Sequence, residues 1–385
     1  MLILVLFCHL IIVSFSEKHN PLFFSKVTFF VIIFFISQSI SVLKVININS
    51  FLVTYKNIVF GIIVYFITLQ FVTKENVRYF FYSFLLSALI NIIFECAFIY
   101  TSKGSVIFPF NVILHSGSLN DLRFQTSRGR YFGDSLDEAL VPFLLFTLLR
   151  TKRYLYRILT SILYIITIFL VIISGWRIKL LMLIFATVTS FTIYIKSRKY
   201  IAIAMIILII VIFIGDNLLM RTNDSNLFQR FVTEDRVFDS GKRFDMWSEA
   251  YTIGTKNLLL GVGIGNYYDN LTAKSKQTNQ SDVVQRSKNY IRIDDPHNFL
   301  FSFFANTGIL GAVSFLALLI VLIQNHISFL FKKKRGHYYL IIMFWTLFLF
   351  SCFNPFLYFS YQAYFFFLIA FIEKVYFINH LYLEK

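Results

Sequence analysis

An all-α polytopic membrane protein of about eleven (10–12) spanning helices with one large external loop is the fold this sequence predicts. Three observations carry that expectation. Of the 385 residues, 57% are hydrophobic and only 15% charged, with a mean hydropathy of +0.70; a soluble domain carries closer to a quarter charged residues. The apolar residues come in continuous runs such as Tyr79–Tyr100 and Tyr200–Ile214, on the scale of the roughly 20 helical residues that cross a hydrocarbon core. Continuous runs, as opposed to alternating ones, favour helices over a barrel. Finally, one long polar stretch, Arg221 to Asn298, interrupts the pattern and must lie outside the bilayer.

The runs fall near 2–15, 22–42, 51–72, 79–100, 139–150, 155–174, 178–195, 200–219, 298–324, 338–353 and 355–374. The first has no basic leader and no small-residue cleavage site, so it reads as a retained span. The segment 40–57, at the join of the second and third, holds Lys44 and Lys56, and the fourth carries Glu95, the clearest intramembrane charge. The fifth is short, which an earlier start or a tilt would repair. The sixth and seventh join through Ser174-Gly175-Trp176-Arg177. The chain thus divides into an N-terminal bundle over 1–219 with an external loop at 101–138, a large external loop over 220–297, and C-terminal spans over 298–385.

Net charge of +16 would point to nucleic acid in a soluble protein. Here the excess sits in short connectors: Arg150, Lys152, Arg153 and Arg157; Lys196, Arg198 and Lys199; Lys332, Lys333, Lys334 and Arg335. Basic short loops mark the cytoplasmic side and meet anionic lipid. Residues 221–296, with 11 basic and 10 acidic side chains, are nearly neutral, which suits an external domain. Strict alternation from these connectors puts the loops 101–138, 175–178 and 220–297 outside, and the N-terminus outside as well. Cys8, Cys96 and Cys352 form no CxxC pattern and read as small core residues.

Inside the large loop, Gly241 to Tyr251 reads as an amphipathic helix with Arg243, Trp247 and Ala250 or Tyr251 on one face, ending near Gly254. Gly261-Val262-Gly263-Ile264-Gly265-Asn266 echoes a dinucleotide fingerprint but has no preceding strand or βαβ unit. A tight turn with close backbone packing is its expected use. HExxH and GxSxG are absent, so zinc-protease and serine-hydrolase chemistry have no support.

His297 closes the loop where apolar sequence resumes, within reach of both water and a lipid-borne substrate. A neutral imidazole there can accept a proton from a hydroxyl, and Asp294 or Asp295 can orient it; a purely structural interfacial histidine is the alternative. Arg177, in a very short turn between apolar spans, either snorkels or pairs with an anion such as phosphate. Arg243, on the expected loop helix, reads by default as a solvated helix-face residue. Arg123, Arg128 and Arg130 cluster in the first external loop, where solvation explains them as well as headgroup binding.

Taken in order, three segments resemble the O-antigen ligase/polymerase superfamily of envelope glycosyltransferases. Ser174-Gly175-Trp176-Arg177 is similar to its Ser-x-Ser-Arg turn. Arg243-(x)3-Trp247 with Leu258 to Asn266 resembles its Arg-x-x-x-Trp…Pro-Leu-x-Gly-x-Gly element. Pro296-His297-Asn298-Phe299-Leu300 with Gly308-Ile309-Leu310-Gly311 resembles its His-Asn-x-x-Leu…Gly-x-x-Gly element. Trp176 and Leu258 depart from the pattern, and Arg130 to Gly133 lacks the Pro-Asn pair that should follow.

The resemblance implies a polyprenyl-pyrophosphate-linked glycan as donor, a glycan acceptor, membrane lipid around both, and a chain-length regulator as protein partner. It implies no cofactor and no metal. His297, Arg177 and Arg243 become the catalytic set, with Arg130, Trp247, Asp295 and Asn298 binding substrate. The expected setting is the bacterial inner membrane with the site facing the periplasm. An O-antigen polymerase is preferred, an O-antigen ligase stands second, and a lipid-glycan flippase, which would need paired charges deep in several spans, stands third.

Overall fold

In the computed structural model the described residues are 25–77, 136–174, 177–195, 240–271, 296–331, 338–353 and 359–381, with isolated positions between 79 and 113 and at 206. The expected spans at 2–15 and 200–219, Glu95, Cys8, Cys96, Arg130 and Asp295 lie outside them. The architecture is the all-α polytopic one, with helices α1 (Lys26–Ile40), α2 (Ile48–Phe71), α3 (Leu136–Arg150), α4 (Tyr154–Ser174), α5 (Arg177–Tyr194), α6 (Ser240–Lys256), α7 (Phe299–Phe331), α8 (Tyr338–Ser351) and α9 (Phe359–Leu381). A two-residue antiparallel ladder pairs β1 (Val106–Ile107) with β2 (Val112–Ile113). Among the described residues, four helical segments are long and apolar enough to cross a membrane: Lys26–Lys44, Ile48–Phe71, Phe299–Phe331 and Tyr361–Ile378.

The chain forms two units, neither contiguous in sequence. The first comprises Met1–Val77, Asp239–Lys333 and Ser351–Lys385; the second comprises Arg78–Phe238 and Lys334–Phe350.

In the first unit, Ser25 starts α1 by accepting a hydrogen bond from the Thr28 N–H at 3.1 Å, and Asn47 starts α2 by accepting from Asn49 and Ser50. Between them a tight turn at Ser41–Lys44 confirms a real break in the weakly apolar segment around Lys44. α2 lies along α9, where Gly61 leaves room for the Phe366 ring; a Cβ there would stand 2.7 Å from it. Phe34 of α1 centres an aromatic core, its ring centroid 5.4 Å from Phe303, 5.5 Å from Phe315 and 6.0 Å from Phe366. A polar knot crosses this bundle. The buried Tyr65 hydroxyl donates to Glu373 Oε2 at 2.9 Å and meets Thr28 Oγ1 at 2.8 Å, so the carboxylate is not buried alone. Sequence patterning had singled out Glu95 and passed over Glu373.

In the second unit, α3, α4 and α5 share an apolar core of Val141, Leu145, Ile168, Val171, Leu180, Leu183 and Ala186. Phe143 and Phe146 of α3 pack on Tyr339 of α8 at 5.7 and 4.6 Å. The short fifth run is lengthened at its front: α3 begins at Leu136, three residues before the apolar stretch does.

Candidate active site

The site grows from an interruption of α7. Gly308 has φ 65° and ψ −160°, a conformation essentially closed to residues with a Cβ. Ring contacts show how sharply the chain turns there. Phe315, beyond the break, lies 5.4 Å from Phe299 and 4.6 Å from Phe303, whereas a straight helix would set those residues about 24 and 18 Å apart along its axis. The first arm, 299–307, therefore folds back beside the second, 309–331. The single span expected at 298–324 is broken at Gly308 into two arms, of which 309–331 is the longer. Uniform hydropathy on both sides of Gly308 hid the division.

Breaking a helix releases backbone groups that apolar surroundings will not satisfy. The glycine-rich loop satisfies them. Val262 and Gly263 donate their N–H groups to the carbonyls of Ala305 and Asn306 at 3.0 and 2.8 Å, and Ile309 donates to the Leu258 carbonyl at 2.8 Å. So close an approach needs the absence of a side chain: Gly261, at φ 63°, would put a Cβ 2.4 Å from the Asn306 carbonyl carbon. The buried Asn266 then ties the loop to the turn after α1. Its Oδ1 accepts from Ile46 N at 3.2 Å and Asn47 N at 2.6 Å, while its Nδ2 donates to Asn47 O at 3.2 Å. This contact sets the 41–47 turn beside the glycine loop.

Along the first arm lies α6, with Ala250, Ile253, Val262, Tyr267 and Ala305 in one small core. Of the two residues expected beside Trp247, Ala250 faces inward and Tyr251 is exposed. The helix also runs two residues past Gly254, because that glycine serves packing and not termination; a Cβ on it would stand 2.4 Å from the Phe304 ring. Trp247 stacks on Phe301 at 5.6 Å with 14° between planes, and its indole N–H donates to the Pro296 carbonyl at 3.0 Å.

The next residue is His297, at φ 56°, the one non-glycine with positive φ among the described residues. That left-handed backbone costs about 1–2 kcal/mol, and both neighbours hold it in place. Pro296 is held by Trp247. Asn298 caps the arm, its Oδ1 accepting from Leu300 N at 2.9 Å and Phe301 N at 3.3 Å, while its Nδ2 donates to the Cys352 carbonyl at 2.9 Å. The imidazole is half-buried, with Nδ1 on its inner side. Cys352 serves the arm through its backbone carbonyl.

Residues 162–316 match the family model described as O-antigen ligase. The chain's likeness to the O-antigen ligase family rests on this segment. No curated protein matches the chain. The matched segment takes in Arg177, α6, the glycine loop, His297 and the reversal at Gly308, but covers less than half the chain and leaves Arg130 outside. Within it the structure brings Trp247, His297 and Asn298 together. Arg177 is the first residue of α5 in the second unit, and Arg243 lies in the first turn of α6 in the first unit; neither side chain is among those described. Sequence reasoning missed the roles of Gly308, Phe301 and the Cys352 carbonyl. A Thr307-Gly308 pair inside an otherwise unbroken apolar helix was the available signal for the first.

Proposed function

We propose that this chain is an O-antigen polymerase-type glycosyltransferase of the bacterial inner membrane. It joins polyprenyl-pyrophosphate-linked oligosaccharide repeats on the periplasmic face. The observation that carries the reading is the left-handed, doubly anchored His297 at the mouth of the folded-back arm, inside the matched segment. Strain held at a non-glycine residue by its neighbours is characteristic of functional positions.

In this reading His297 takes the proton from an acceptor sugar hydroxyl as that oxygen attacks the anomeric carbon of the donor. The bond from that carbon to the pyrophosphate oxygen breaks, its electron pair leaves with the polyprenyl pyrophosphate, and the imidazolium later returns its proton to water. One displacement inverts the anomeric centre. Arg177 and Arg243 neutralise the leaving diphosphate through bidentate contacts, and no metal is invoked. Arg130 and Asp295 bind substrate, and a chain-length regulator is the expected protein partner.

A ligase, passing finished glycan to lipid A core, is the second reading, favoured by the description of the matched family. Deleting the gene and sizing the surface and lipid-linked glycan separates the two. Surface chains capped at one repeat support the polymerase, long chains stranded on polyprenyl lipid support the ligase, and unaltered glycan on both carriers removes both. In the last case a lipid-glycan transporter is removed with them.

A further inference from the structure

The helix of the large loop carries three faces where a helix in water needs two. Ala250, Ile253 and Gly254 are buried against the first arm of α7. Asp245, Glu249 and Lys256 form a charged strip. Between these, Phe244, Ser248, Tyr251 and Thr255 recur at three- and four-residue intervals, so they line one face; all four are exposed and none is charged. Phe244 is 61% exposed and Tyr251 58%.

This uncharged face continues into surface that is lipid-facing on other grounds. Just after α6 come Leu258, 50% exposed, and Leu259, 64% exposed. Their carbonyls accept hydrogen bonds from the N–H groups of Ile309 and Leu310 at 2.8 and 3.5 Å. Ile309, Leu310 and Val313 open the longer arm of α7 and are themselves exposed. Leu258 and Leu259 are thereby held at the outer rim of a spanning helix. A strip of large apolar side chains with hydroxyls among them, running off the end of a span and flanked by charge on one side, has the make-up of a helix seated in a bilayer interface.

We propose that α6 is an interfacial helix, its Phe244–Ser248–Tyr251–Thr255 face and the Leu258–Leu259 shoulder seated in the outer-leaflet lipid. The large loop is then not a wholly aqueous domain: its ordered helix is a membrane-contacting element, and Trp247, on the same helix, anchors Pro296 from within that layer. The occupant is bilayer lipid, because the strip is continuous with the lipid-facing surface of α7. The inference needs only the membrane fold and stands whether or not the glycosyl-transfer reading holds.

The test uses the full chain with Cys8, Cys96 and Cys352 changed to serine. Single cysteines are placed by Ser248→Cys and Leu259→Cys on the strip and by Glu249→Cys and Lys256→Cys on the charged side. Each is labelled with an environment-sensitive fluorophore in vesicles of phosphatidylethanolamine and phosphatidylglycerol. Nitroxide-bearing lipid is expected to quench labels at 248 and 259 several-fold more than those at 249 and 256, with aqueous iodide giving the opposite order. Equal iodide quenching at 248 and 249 would overturn the proposal in favour of a solvated helix. Protection of 248 and 259 from both quenchers would also overturn it, by showing a protein cover. Ser248→Cys is nearly isosteric, so loss of folding does not cloud the comparison.

Discussion

In α3, α4 and α5, polar side chains turn back onto their own helices. Thr147 donates to the Phe143 carbonyl at 3.0 Å and Thr167 to the Leu163 carbonyl at 2.9 Å. Around Gly308 the traffic runs between elements far apart in sequence: Val262 to Ala305, Ile309 to Leu258, Trp247 to Pro296, Asn298 to Cys352. The first region satisfies its backbone by regularity and packs by apolar volume. The second breaks regularity at Gly308 and must satisfy every released group by a specific partner. Such a region tolerates little change, and in exchange it can hold a side chain in a position that no regular helix offers. His297 is that side chain.

The largest effect should follow from His297→Ala. Loss of a general base costs about 10²–10⁴-fold, read as glycan extension in membranes at normal protein abundance. His297→Gly should be equally inactive yet melt higher than His297→Ala, because glycine is free of the roughly 1 kcal/mol of left-handed strain that alanine still carries. Wild-type extension by either variant would remove the assigned role. Gly308→Ala comes next. Its Cβ would stand 2.5 Å from the Leu259 backbone at a backbone conformation alanine avoids, so about 3 kcal/mol or more should be lost. The measurement is the yield and melting temperature of monodisperse protein. Leu183→Met, in the regular α3–α5 core, should cost under about 1.5 kcal/mol.

The same contrast explains what the sequence showed. Hydropathy and basic connectors gave most of the described helices to within a few residues, because a helix that satisfies itself leaves its signature in its own composition. The Asn298 cap and the turning role of the glycine loop were also visible, since both rest on local chemistry: a side-chain acceptor before an apolar run, and three glycines at alternate positions. The reversal at Gly308 was not. The backbone that meets it lies some fifty residues away at 258–263, and within 299–331 only the Thr307-Gly308 pair hints at it. Glu373 was likewise passed over, since its partner Tyr65 lies on another helix.

Trp247→Phe sharpens the comparison at a single hydrogen bond. Phenylalanine keeps an aromatic ring for Phe301 but leaves the Pro296 carbonyl without its indole donor. An orphaned carbonyl costs about 1–3 kcal/mol. Extension should fall about tenfold if that energy is what holds His297 in place, since about 1.4 kcal/mol is a factor of ten. A tryptophan that only bound sugar would instead show its loss as a raised KM for acceptor with kcat kept.

Tyr164→Phe is the matching change in the regular region, and the smallest. The Tyr164 hydroxyl meets Thr187 Oγ1 at 3.0 Å between α4 and α5. Hydrogen bonds between spanning helices average about 0.6 kcal/mol, because the separated helices find other partners for the same groups. Thr187 has such a partner close by in the carbonyls of its own helix, as Thr189 shows by donating to Phe185 at 2.6 Å. The variant should therefore melt within a degree or two of the parent and extend glycan at the parental rate. A loss as large as that of Trp247→Phe would show that the regular helices are held by specific bonds after all, and the distinction between the two regions would fail.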